Sequence, residues 1–72
     1  MPKPVYWIGE IPEGCQLTGR SFNGTIYDAK LPRFGWGVWN QETFEAEAGS
    51  LGTGLGQKYH LQDDGRWLKV AG

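Results

Sequence analysis

A single cysteine, a single histidine and no apolar run of about 18 residues set the first limits on this chain. The lone Cys15 excludes an internal disulfide framework and any zinc site built from cysteines alone. The missing apolar run excludes a membrane-spanning helix. The N-terminus has no basic segment followed by an apolar stretch, which predicts no signal peptide and a cytoplasmic protein. No charge sign dominates: seven Lys+Arg face eight Asp+Glu, a net charge of −1. That balance argues against a dedicated nucleic-acid binder, whose basic footprint usually pervades the composition. Aliphatic residues are scarce as well, and hydrophobic residues in total make up only 39%.

Aromatics and glycines fill the gap. The 72 residues hold four Trp, three Tyr and three Phe, and twelve Gly. Each buried aromatic removes roughly 150–250 Å² from water, so a few can build a small core. The length allows one small domain. A chain this short buries only about 60% of its unfolded surface, so a dimer or partner could add to its stability.

Residues 1–14 carry three of the four prolines, Pro2, Pro4 and Pro12, and read as an arm with a short edge strand, Val5–Ile8. Residues 15–72 read as one small α+β domain. Asn23-Gly24 is the strongest hairpin signal, expected to pair Arg20–Phe22 with Thr25–Tyr27. Asp28–Pro32 is expected to turn the chain. Phe34, Trp36 and Val38 then alternate with Gly35, Gly37 and Trp39. Glycines at alternate positions suit a close backbone approach or a covering aromatic ring.

The window 41–48 is the one good helix, with Asn40 as its cap, Glu42 at its positive end and Gly49 as its terminator. Phe44 and Ala48 form its apolar face, and so short a helix needs Phe44 to pack on the sheet. Residues 49–56, with four glycines, read as a loop. Asp64-Gly65 predicts a two-residue hairpin turn that pairs Gln62 with Trp67, Leu61 with Leu68 and His60 with Lys69. In that register Tyr59, Leu61, Leu68 and Val70 face the core, and Trp67 stands on the polar side. The predicted fold is α+β: small antiparallel hairpins with one short helix.

Few residues carry chemistry. His60 has no Cys or Ser neighbour and reads as a surface strand residue. Cys15 is a nucleophile only with a base beside it, and lies between glycines. Asp63 and Asp64 suit a turn. Gly52-Thr-Gly54-Leu-Gly56-Gln-Lys58 fails both the dinucleotide and the Walker spacings. Trp36, Trp39, Trp67 and Tyr59, with Lys58, Arg66 and Lys69, could form an aromatic platform with cationic edges. No cofactor is expected.

Four stretches together carry a resemblance: Cys15-Gln-Leu-Thr18-Gly19; Phe34-Gly-Trp36-Gly-Val38-Trp39-Asn40-Gln-Glu-Thr43; Gly52-Thr-Gly-Leu-Gly-Gln-Lys-Tyr59; and the ending Gly65-Arg-Trp-Leu-Lys-Val-Ala-Gly72. Over about residues 15–72 the chain resembles a family of small bacteriophage-encoded zinc-ribbon-like proteins. That resemblance places the family's four ligand positions at Cys15, Thr18, Asn40 and Thr43. Only the first is a cysteine, and structural zinc wants Cys or His donors. The resemblance therefore implies a knuckle held by hydrogen bonds and aromatic packing instead of metal.

The functional expectation is a non-enzymatic phage or prophage accessory protein of the host bacterial cytoplasm. It would bind a host or phage protein through Trp67, Arg66, Lys69, Tyr59, Trp36 and Trp39, and no membrane. Single-stranded nucleic-acid binding and a self-associating virion component are the rivals.

Overall fold

A computed structural model describes residues 3–72. The elements in order are β1 (Thr25–Leu31), β2 (Gly35–Trp39), α1 (Gln41–Ala46), β3 (Gly56–Leu61) and β4 (Trp67–Ala71). The strands form one antiparallel sheet in the order β2-β1-β3-β4. The class is α+β, as the sequence predicts.

β1 is a central strand, and that decides two points against the sequence reading. Asn23 (φ 53°) and Gly24 (φ 80°) do adopt the left-handed turn, closed by a 3.2 Å bond from the Thr25 N–H to the Phe22 carbonyl. Residues 20–22 nevertheless form no strand. β2 and β3 already occupy both sides of β1, and the Gly24 carbonyl accepts from the Leu61 N–H. Asp28–Leu31 is strand rather than turn, because pairing on both sides carries Asp28, Ala29 and Lys30 in extended form. The reversal comes one step later, at Leu31-Pro32-Arg33-Phe34, where proline takes the turn position that suits its fixed φ.

The last hairpin differs by one residue from the expected register. Leu61 pairs with Trp67, His60 with Leu68 and Tyr59 with Lys69. The loop is Asp63-Asp64-Gly65, with Gly65 at φ 87° and the Gln62 N–H bonded to the Arg66 carbonyl. A three-residue loop ending on a left-handed glycine competes directly with the two-residue turn. A one-residue slip exchanges the faces of a strand. Trp67 and Lys69 therefore share a face with Tyr59 and Leu61, and Trp67 packs against the core instead of standing on a polar side.

The helix is shorter than expected at its C-terminus. Asn40 caps it, its Oδ1 accepting from the Thr43 N–H at 2.9 Å. The exit is a Schellman turn: Ala48 N–H to Glu45 O and Gly49 N–H to Phe44 O. The left-handed position falls on Ala48 (φ 57°), not on Gly49. Ala48 is thus exposed and leaves the expected apolar face. Of the expected apolar pair only Phe44 packs on the sheet, stacked on Tyr27 at 4.1 Å between centroids.

The arm joins the sheet. Tyr6 bridges Leu68, the Trp7 N–H bonds the Trp67 carbonyl, and the Lys69 N–H bonds the Val5 carbonyl. Val5–Trp7 thus lies along β4, but the expected edge strand Val5–Ile8 reduces to a single bridge at Tyr6 with Ile8 left exposed, and Met1 and Pro2 of the arm fall outside the described residues. The core comprises Cys15, Phe22, Ile26, Tyr27, Ala29, Leu31, Val38, Trp39, Phe44 and Tyr59, flanked by Trp7, Ile11, Leu51 and Trp67.

Candidate functional site

Of the four positions singled out by the zinc-ribbon resemblance, Cys15, Asn40 and Thr43 come together, while the exposed Thr18 turns its hydroxyl to the Arg20 N–H. Cys15 is buried, and its Sγ donates to the Thr43 Oγ1 at 3.3 Å. Thr43 in turn holds Asn40 through the helix cap. Backbone N–H groups of Asn40, Thr18 and Leu17 point at the sulfur. The loop is tied by bonds from Gly19 N–H to Cys15 O and from Cys15 N–H to Arg20 O. Burial acts to raise the Cys15 thiol, but the Thr43 hydroxyl and the three N–H groups outweigh it. They bring the thiol down from 9.0 to about 7. No base hydrogen-bonds this thiol among the described residues. Among the same residues, no group of three or more His, Cys, Asp or Glu side chains is placed to hold a metal.

The six expected binding residues do not form one platform. Trp39 is buried, covers Gly37 with its ring and donates Nε1–H to the Ala29 carbonyl at 2.8 Å. That ring accounts for the glycine at position 37. Tyr59 is also buried and donates its hydroxyl to Gln57. Trp67 is half-buried for the register reason given above. Lys69 is paired with Tyr59 across the hairpin. Arg66 is clamped to Asp64, with Nε to Oδ2 at 2.8 Å, and lies 4.1 Å from the Tyr6 ring centroid. Its backbone and guanidinium N–H groups lower the Asp64 carboxyl, and the hydrogen bond to Asp64 and its charge raise the Arg66 guanidinium.

Trp36 is the exception. It is 57% exposed, on β2 at the far edge of the sheet from β4. Lys30 is its partner across the strands. Phe34 leaves the expected alternation, because Gly35 turns left-handed (φ 76°) and swings the Phe34 ring toward Trp39, at 6.2 Å. Arg33 lies 5.4 Å from the Phe34 ring centroid and 3.6 Å from Glu47. The outer edge of β2 is paired only in part. Val38 bonds Gln16 twice: its N–H to Oε1 at 2.7 Å and its carbonyl to the Gln16 N–H at 3.1 Å. Trp36, two residues earlier, points its N–H and carbonyl the same way, and neither has a partner among the described residues.

A second opening lies where the arm crosses the sheet. Val5, Tyr6, Trp7, Ile8, Asp28 and Tyr59 line a cleft of about 310 Å³. Trp7 and Tyr59 meet edge-to-face at 5.3 Å and 82°. Nothing in the sequence pairs Asp28 with the arm. The contact depends on β4, which carries Val5–Trp7 beside the sheet.

No helix of the described residues is long and apolar enough to cross a membrane. No protein-family model matches the chain, and no curated protein or solved structure is detectably similar to it.

Proposed function

We propose that this chain is a non-catalytic binding module that docks on a protein partner through the open stretch of the β2 edge, with Trp36 as anchor. The observation that carries the reading is the 57% exposure of Trp36 beside unpaired backbone on that edge. Tryptophan flanked by a cation is a favoured interface anchor, and Lys30 supplies the cation. Free N–H and C=O groups on an edge strand accept an added extended segment. Gln16 already uses the adjoining part of this edge in that way. The resemblance to bacteriophage zinc-ribbon-like proteins supports an origin in a phage or prophage, a working place in the host cytoplasm, and a host or phage protein as partner. The buried positions of Trp39 and Tyr59 disfavour the base-stacking platform.

The test is capture from nuclease-treated bacterial lysate on immobilised wild type and on Trp36→Ala, side by side. The expected result is a protein retained by the wild type and reduced about tenfold or more on the variant, as befits an anchor of about 1.4 kcal/mol or above. Equal capture by both, or capture that disappears with nuclease, would sink this reading.

A further inference from the structure

We propose that the cleft between the N-terminal arm and the sheet is a binding site for an alkylammonium group, with the Asp28 carboxylate as counter-ion and the Trp7 ring as the aromatic wall. This site is separate from the Trp36 edge and does not depend on it.

The argument begins with Asp28. It sits in the middle of β1, paired with Val38 on one side and Gln57 on the other. A carboxylate in a central strand of a small sheet is an uncommon choice, because desolvation disfavours its charge unless a cation or donor compensates. Among the described residues Asp28 has neither. Lys30 lies two residues along the same face and Lys69 faces Tyr59, yet neither ammonium comes within 4.0 Å of it. No buried side-chain polar atom is left without a partner, so the Asp28 oxygens keep access to the cleft. Burial raises the Asp28 carboxyl. Burial and then the charge of Asp28 raise the Tyr59 phenol, which places that charge close to the buried ring on which Trp7 packs.

The walls suit the same ligand. Trp7 packs edge-to-face on the buried Tyr59 at 5.3 Å and 82°, which fixes the orientation of the Trp7 ring. Val5 and Ile8, 50% and 94% exposed, extend the rim with apolar surface. An aromatic wall with an anion beside it attracts a cation whose charge is spread over methyl or methylene groups. The opening of about 310 Å³ is shallow and suits a small headgroup rather than a whole enclosed ligand. The adjacent Tyr6 shows the preference within the molecule, since its ring already carries the Arg66 guanidinium at 4.1 Å.

The ammonium could be a free small molecule or a lysine side chain presented by a peptide. Three probes distinguish these: choline, its neutral carbon isostere 3,3-dimethylbutan-1-ol, and the capped tripeptide Gly-Lys-Gly. Each is titrated into the ¹⁵N-labelled protein, following the Trp7 indole and the Asp28 and Tyr59 amides. Saturable shifts at these positions with choline or the peptide are expected, with the neutral isostere weaker by about fivefold or more. The tighter of the two cations identifies the source. Asp28→Asn keeps the shape and removes the charge, and should weaken the cation by a similar factor while leaving the isostere unchanged. Should Asp28→Asn fail to fold, Trp7→Leu tests the aromatic wall and is expected to lose the cation's advantage over the isostere. No saturable shift with either cation, or equal binding of choline and its isostere, would overturn the proposal. The Trp36→Ala variant should bind choline as the wild type does, which separates failure here from failure of the edge-docking reading.

Discussion

The Cys15 thiol donates to the Thr43 hydroxyl at 3.3 Å, joining residues 28 apart in the chain. It is the contact through which the loop at residues 15–19 meets the capped start of α1. One hydroxyl and three backbone N–H groups surround the sulfur.

That arrangement makes stability depend on alkaline pH. The folded thiol stands at about 7, below its ordinary 9.0, so the native state favours the thiolate. The sign follows from linkage: a depressed folded value contributes stability fully above 9.0 and loses it as pH falls through 7. Chemical denaturation under reducing conditions should show the wild type more stable at pH 9 than at pH 6 by about 1–2 kcal/mol, relative to Cys15→Ala. Parallel pH profiles for the two proteins would contradict this account.

The helix exit yields a prediction of opposite sign at two adjacent residues. Ala48 holds a left-handed conformation that costs a residue with a Cβ about 1 kcal/mol. Ala48→Gly should raise stability by about 0.5–1 kcal/mol. Gly49→Ala should lower it by about 1–3 kcal/mol, because an added Cβ would strike the Phe44 ring. Thermal melts of the two variants measure both.

Three tryptophans should answer alanine substitution differently. Trp39 is buried and hydrogen-bonded to the Ala29 carbonyl, so Trp39→Ala should cost about 3–5 kcal/mol. Trp67 is half-buried against the core, and Trp67→Ala should cost about 2–3 kcal/mol. Trp36→Ala should change stability by less than about 1 kcal/mol. Urea midpoints that rank the three in another order would show that the β4 register or the exposure of β2 is wrong.

Much of the architecture was legible in the sequence because it rests on local chemistry. Asn40 caps α1 since its side chain reaches the Thr43 N–H three residues on. Asn23-Gly24 turns the chain since both residues tolerate positive φ. Gly37 of β2 lies under the Trp39 ring, and Gly35 takes a positive φ. Of the four positions named from the resemblance, Cys15, Thr43 and Asn40 are joined by hydrogen bonds, while Thr18 is exposed and its hydroxyl accepts from the Arg20 N–H.

Tertiary structure decided the rest, wherever two local solutions were close in energy. Asp63-Asp64-Gly65 accommodates a two- or a three-residue loop, and the choice reverses which face of β4 meets the core. Trp67 was thereby moved to the core side, and Trp36 remained as the exposed tryptophan of β2. Strand partners lay beyond sequence reasoning for a similar reason. β1 took β2 and β3 instead of residues 20–22, since burial on both sides of a central strand outweighs one short hairpin. The arm settled on β4 and brought Trp7 to Asp28 and Tyr59. Local residues determine caps and turns because their hydrogen bonds close within a few residues. Pairing and faces are determined by contacts distant in the chain, which exist only once the sheet has formed.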